Sequence, residues 1–241
     1  MIKNLKRHKN NKWLQIWEQK GRELKSSKIE NLINANGHNT KFGQFKKKNW
    51  NKYIKSIFKS IKIKKGSEIL EYGCGAGAFL SYWYEKKYHL NGIDYSKSLI
   101  TKGKKYFPKI NFKVGEISSL ESFNQKFDLI FSHSVFQYFK DYKYAENLIL
   151  KMLTKLKNKG CICILDIPDK EQENQYIKKL KKEMGKDEYK RKYGKNKHIF
   201  YKKTFFKTFA NENNLEFKIF KHNSEFNKNS KYRYNLILRI K

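Results

Sequence analysis

The sequence predicts a single doubly wound α/β domain preceded by a helical arm. Three observations carry that expectation. The 241 residues suffice for one core with some extra elements. After residue 64, short apolar runs of strand length alternate with segments of helical period. A glycine-rich turn, Gly73-Cys74-Gly75-Ala76-Gly77, closes the first of those runs. Strands separated by helices imply a parallel sheet covered on both faces.

Residues 1–64 read as helices without strands. Trp13, Leu14, Ile16 and Trp17 are followed by Leu24, Ile29, Leu32 and Ile33, and Gly37 and Gly43 bracket a polar loop. Trp50, Tyr53, Ile54, Ile57, Phe58 and Ile61, three and four apart, mark a second helix that Lys64-Lys65-Gly66 ends. Strand one is Glu68 to Tyr72, and a helix carrying Phe79, Leu80 and Trp83 follows its turn. Strand two runs from His89 to Asp94. Ser96 then caps a helix that stops before Pro108. Ile110–Val114 and Phe127–Ser132 are strands three and four, and a helix spans about Tyr144–Leu156. Asn158-Lys159-Gly160 stops it, and strand five is Cys161–Ile167, closed by Pro168. Residues 169–197 are charged, with little apolar pattern, and read as an insertion: a solvated helix or a loop. A helix over Thr204–Asn213 and strands at Leu215–Phe220 and Tyr232–Ile240 finish the chain, with a polar hairpin at His222–Lys231.

Lys and Arg total 55 against 22 Asp and Glu, a formal charge of +33. Nucleic-acid binding is one reading. Only five of the 55 are Arg, however, whereas dedicated phosphate sites favour its planar fork. The Lys is spread along the whole chain, and Asn, Ile, Phe and Tyr, which share A/T-rich codons, are abundant as well. Compositional bias explains the charge with no partner at all. Cys74, Cys161 and Cys163 form no C-x-x-C pair, which fits a reducing compartment. No apolar run has the length of a signal peptide or membrane span, so a cytoplasmic protein without membrane contact is expected. No metal is expected.

Glu71-Tyr72-Gly73-Cys74-Gly75-Ala76-Gly77 ends strand one. Such a turn lets a ligand approach the backbone, and a helix behind it would offer free N–H groups to a pyrophosphate or an amino acid. Asp94 ends strand two, where a carboxylate can accept from both ribose hydroxyls, and Tyr95 could pack on adenine. Glu116 and Ile117 follow strand three, where a carboxylate and an N–H could read the adenine edge. Ser132 and His133 close strand four on the same edge. These pieces resemble the catalytic domain of class I S-adenosylmethionine-dependent methyltransferases: ILEYGCGAGAFL (69–80), LNGIDYSKSLI (90–100), INFKVGEISSL (110–120), FDLIFSHSVFQYF (127–139) and LKNKGCICILD (156–166). The resemblance covers most of residues 60–241. It implies a Rossmann-like seven-stranded sheet, mostly parallel, with a terminal antiparallel hairpin. It also implies S-adenosylmethionine as cofactor, with Glu71, Gly73, Gly75 and Gly77 at the methionine end, Asp94 at ribose and Glu116 and Ile117 at adenine. Glu116 stands where the family more often has Asp, and Lys157-Asn158-Lys159-Gly160 where it usually has Lys-Pro-Gly-Gly. The implied organisation is an arm over residues 1–64 and a methyltransferase domain over 65–241, with 169–203 as a charged insertion.

Gly73, Gly75 and Ala78 also satisfy a nicotinamide-binding fingerprint. Glu71 ahead of the turn, the helical arm and the lack of a second domain speak against an oxidoreductase. Methyl transfer needs alignment and exclusion of water, and a base only for an acceptor with a high pKa. His133, just past strand four, is the leading candidate base, with His198 second; His89, at a strand start, reads as structural. Trp13, Trp17, Trp50, Tyr53, Tyr138 and Tyr201 are candidate walls or lid over the acceptor, and the Trp and Tyr53 serve equally as helix anchors. Trp17-Glu18-Gln19-Lys20-Gly21 and the tail resemble small-molecule methyltransferases. No Asn-Pro-Pro-Tyr-like motif follows strand four and no appended RNA module is recognisable, so a small-molecule acceptor is expected over RNA.

Overall fold

The computed structural model describes residues 12–38, 47–59, 61, 63–194, 197–221 and 229–241. Gly43 and most of the hairpin at 222–231 lie outside them. Seven strands form one sheet in the order β3-β2-β1-β4-β5-β7-β6. They are β1 (Glu68–Tyr72), β2 (His89–Asp94), β3 (Asn111–Val114), β4 (Phe127–His133), β5 (Leu156–Pro168), β6 (Leu215–Lys221) and β7 (Arg233–Ile240). β1 pairs in parallel with both β2 and β4, so strand order reverses there. β7 runs antiparallel to both β5 and β6, the terminal hairpin that the resemblance implies.

Eight α-helices accompany the sheet among the described residues: α1 (Lys12–Glu23), α2 (Ile29–Ile33), α3 (Lys47–Phe58), α4 (Lys97–Tyr106), α5 (Tyr142–Thr154), α6 (Glu173–Met184), α7 (Lys186–Tyr193) and α8 (Lys203–Glu212). None is long and apolar enough to cross a membrane. The two-residue period of the strands divides their side chains between two cores. Ile69, Leu129, Phe131 and Cys163 face one core, with Trp50, Ile54 and Phe58 of α3 and with Phe79 and Trp83. Leu70, Ile130, Ile162 and Ile164 face the other, with Leu148 and Met152 of α5 and Phe206 and Phe209 of α8.

Three elements differ from expectation. The segment after the glycine turn is not an α-helix but a set of turns with a 3₁₀ piece at Leu80–Tyr82. The Ala78 carbonyl accepts from Trp50 Nε1 at 3.1 Å and Ser81 Oγ at 2.8 Å, and the Tyr82 amide bonds to Phe79, so the helical ladder is interrupted. β5 begins at Leu156, ahead of Asn158-Lys159-Gly160; its pairing with β4 jumps from Phe127↔Leu156 to Leu129↔Cys161, and the extra residues form an irregularity within the strand. Within the charged stretch, residues 173–193 fold into α6 and α7, and Tyr176 and Leu180 of α6 build a small third core with Phe200 and Tyr232.

α1 docks on α4 through glycine. A Cβ on Gly21 would lie 2.2 Å from Ser98 Oγ and 2.6 Å from the Leu99 amide nitrogen, so only glycine permits this approach. Ser98 Oγ donates to the Glu18 carbonyl at 2.7 Å, and the Ser98 amide donates to Glu18 Oε1 at 3.3 Å. The Glu18 carboxylate thereby meets the positive end of α4.

Candidate active site

A cavity of about 450 Å³ opens at the C-terminal edge of the sheet, where strand order reverses and open α/β folds place their ligands. The first four strands contribute residues at or just past their ends. Tyr72 and Gly73 come from β1, Asp94 and Tyr95 from β2, Gly115 and Glu116 from β3, and His133 and Ser134 from β4. The arm closes it from above with Trp13, Trp17, Asn36 and His38.

At one end the glycine turn is held in left-handed backbone, with φ of 76° at Gly73 and 54° at Gly75. Four of its amides donate within the protein. Gly73 and Cys74 donate to the Ile93 carbonyl, Gly77 to Cys74, and Gly75 to Asp94 Oδ2 at 2.9 Å. Asp94 Oδ1 accepts from the Ser96 amide at 2.8 Å. Burial pushes the Asp94 carboxyl up to about 6, against the pull of those two amides. Beneath the turn Glu71 is fully buried, and burial followed by the Asp94 charge raises its pKa well above the carboxylate range. Its Oε2 has no hydrogen-bond partner; neither has the buried Oδ1 of Asn36, which sits over Gly75. Asn36 Oδ1 is thus an acceptor over the turn that a ligand's ammonium would satisfy, and no α-helix follows the turn to present its N-terminus, contrary to expectation.

The other end is aromatic. Trp13 lies edge-on to Tyr138 with ring centroids 4.7 Å apart, and Trp17 does so at 5.5 Å. His133 is 8% exposed, and its Nε2 lies 2.8 Å from Tyr53 Oη. Burial raises the Tyr53 pKa, so that hydroxyl keeps its proton. The His38 ring stands 5.4 Å from His133, and burial depresses its pKa to about 4. Lys140 and Lys197 stand on the same wall.

The cavity thus gathers Gly73, Gly75, Asp94, Tyr95, Glu116, His133, Trp17 and Tyr138 from the residues singled out in the sequence. Others lie elsewhere. Glu71 supports the turn from below, and Gly77 packs on Phe112. Ile117 lines a neighbouring surface hollow, and Ser132 is buried within β4. Trp50 is a core anchor on the Ala78 carbonyl, not a lid. Tyr201 is fully buried with its hydroxyl on the Phe136 carbonyl at 2.9 Å, so it too is core. His198 stacks behind the wall, on Trp13 at 5.3 Å; burial, then Arg233 and Lys192, hold its pKa near 3. It buttresses the wall rather than touching its contents. Sequence reasoning missed Asn36, His38, Tyr72, Ser134 and Tyr144. Asn36 and His38 flank Gly37, and that polar cluster between two amphipathic helices is their one signal in the sequence.

A family model described as a methyltransferase domain matches residues 63–224. The chain belongs to the class I S-adenosylmethionine-dependent methyltransferases. The match sets aside the nicotinamide reading of the glycine turn. This methyltransferase is 33% identical over 79 residues to malonyl-[acyl-carrier protein] O-methyltransferase of Hamiltonella defensa, a segment that is 33% of this chain and 31% of that one. Identity to its namesake from Calditerrivibrio nitroreducens is 33% over 99 residues, 40% of this chain and 36% of that one. The matched segments thus span about a third of the curated relatives' length. Among solved structures, the plantazolicin methyltransferase BpumL with S-adenosylhomocysteine (SAH) superposes with a TM-score of 0.62 at 18% identity, covering 97% of this chain and 98% of that one. The magnesium protoporphyrin IX methyltransferase of Synechocystis with SAH gives 0.60 at 13% identity, covering 98% and 97%. The cofactor is S-adenosylmethionine, and the unpartnered Asn36 Oδ1 over the glycine turn is an acceptor that its ammonium would satisfy.

Proposed function

We propose that the enzyme methylates an oxygen or nitrogen of a small molecule held between Trp13, Trp17, Tyr138 and His133. The observation that carries this reading is a single cavity joining the glycine turn, with Asn36 and Asp94 beside it, to an aromatic, histidine-bearing wall. S-adenosylmethionine supplies a methyl group activated by the sulfonium. Asn36 and the Gly73–Gly75 turn hold its methionine end, and Glu71 sets the turn from beneath. Asp94 accepts from the ribose hydroxyls, while Tyr95 and Glu116 flank the adenine. Trp13 and Trp17, backed by His198, act as the lid that excludes water. His133, whose Nε2 lies 2.8 Å from Tyr53 Oη, is the candidate base for a proton leaving an amine acceptor as transfer proceeds.

Relatives named for malonyl-[acyl-carrier protein], magnesium protoporphyrin IX and plantazolicin support an acceptor other than nucleic acid. The test has two arms. Calorimetry with SAH reads the donor site. Incubation of the full chain with methyl-labelled donor and fractionated cell extract reads the acceptor. Label in the small-molecule fraction, identified by mass spectrometry, is the expected result. Label confined to RNA, with tight RNA binding at physiological salt, overturns the small-molecule assignment while leaving the cofactor assignment intact.

A further inference from the structure

Ser134 and Asp166 share an unusual backbone state. Their φ values are 60° and 61°, in the left-handed region that ordinary side chains avoid. They face each other across two paired strands. Ser134 follows directly on β4 and its amide donates to the Leu165 carbonyl at 3.0 Å, while Asp166 lies in β5. At Asp166 the β5–β7 register slips, from Ile164↔Leu236 to Ile167↔Tyr234, and the Asp166 amide is capped by Asn235 Oδ1 at 2.9 Å. The strain is thus built in from both sides and held by β7. Glycine would occupy position 134 without conformational cost, so it is the side chain that accounts for serine there.

That side chain joins a buried network. Ser134 Oγ donates to Asp166 Oδ2. Arg233 Nη1 donates to the same oxygen at 3.0 Å, to the Asp166 carbonyl at 2.9 Å, and to Gln137 Oε1. The Asp166 and Arg233 side chains are only 5% and 6% exposed. A buried ion pair costs desolvation and is weak evidence of a stabilising role; here it fixes the polarity of one hydroxyl. An ionised carboxylate is acceptor-only, so the Ser134 proton is committed to Asp166, and its oxygen has only lone pairs left to offer. Ser134 lines the cavity beside His133 and Tyr138.

We infer that Ser134 orients the methyl acceptor by accepting a hydrogen bond from the heteroatom to be methylated, with Asp166 and Arg233 as its positioning residues. The inference rests on the small-molecule reading above and narrows it. An amine satisfies Ser134 with one N–H, keeps another for His133 and presents its lone pair to the donor; a hydroxyl presents its lone pair in the same way and passes its one proton to Ser134 Oγ as the Ser134 proton moves to Asp166. A carboxylate would set lone pairs against lone pairs beside the Asp166 charge. The enzyme therefore selects hydroxyl or amine acceptors, and its products are methyl ethers or N-methyl compounds rather than methyl esters.

The experiment compares the full-length wild type with Ser134→Gly and Ser134→Ala. Its readouts are melting temperature, SAH affinity by calorimetry, and transfer from methyl-labelled donor into the small-molecule fraction of a source-cell extract. Glycine relaxes the left-handed backbone and alanine does not. Ser134→Gly is expected to melt no lower than wild type and Ser134→Ala lower. Both should bind SAH within about twofold of wild type and lose about tenfold or more in transfer. Equal activity losses with unequal stability changes isolate the hydroxyl from the fold. The wild-type product should keep its label in mild alkali. Wild-type transfer by Ser134→Gly, or release of the label as methanol, overturns the inference while methyl transfer itself stands. A wild type that binds SAH yet labels no small molecule strikes down the underlying reading, and this inference with it.

Discussion

Asn36 is the residue whose chemistry most sharply tests the donor site. Its buried carbonyl oxygen has no partner, and an unmet buried acceptor costs free energy until a donor arrives. The ammonium of the donor's methionine end is such a group. Replacement by alanine removes one charge-assisted hydrogen bond, worth about 1.5 kcal/mol, or roughly tenfold in affinity. Asn36→Ala is expected to weaken SAH by that factor and to leave 5′-methylthioadenosine, which lacks the amino-acid end, unchanged. Calorimetry with both ligands checks it, and equal losses for the two would move Asn36 away from the ammonium. At this scale the sequence was only partly legible. Gly73, Gly75, Asp94 and Glu116 stand in recognisable spacing, so their arrival at one cavity could be foreseen. Asn36 and Ser134 belong to no periodic pattern; chain crossings far apart in sequence bring them to the cavity.

Among elements, the decisive junction is α1 on α4. Gly21 allows the helices to touch, and Glu18 meets the first turn of α4, three residues after Asp94. Alanine at position 21 would push its Cβ into backbone, where no rotamer change relieves the clash. Gly21→Ala should detach α1, taking Trp13 and Trp17 off Tyr138, with the sheet left folded. The expected outcome is faster quenching of tryptophan fluorescence and a loss of transfer larger than the loss of thermal stability. Unchanged quenching and transfer would show that the arm tolerates the wider spacing. Apart from the early start of β5, the strands were legible to within a residue or so, since each alternates between two cores. The helix after the glycine turn was not, because its ladder is broken by Trp50, a side chain from an element that packs there only in three dimensions. α6 and α7 were obscured for a related reason: their few apolar contacts go to Phe200 and Tyr232, outside the segment itself.

The whole molecule carries a charge of +33, and most of it lies on lysines. Like charges at this density repel one another in the compact state, and salt screens the repulsion with a Debye length of about 10 Å at 0.1 M. Raising sodium chloride from 20 mM to 300 mM should therefore raise the melting temperature, by roughly a few degrees. A melting temperature that falls with salt would show that attractive ion pairs outweigh the repulsion. The cavity walls themselves join distant parts of the chain, from Trp13 to Lys197.

Trp13 and Trp17 stand over a space that must admit two different guests. With the adenosyl guest against the strand tips and the other beneath the indoles, as proposed, the deeper one would be seated first and leave last, and product-inhibition kinetics should then show a compulsory order.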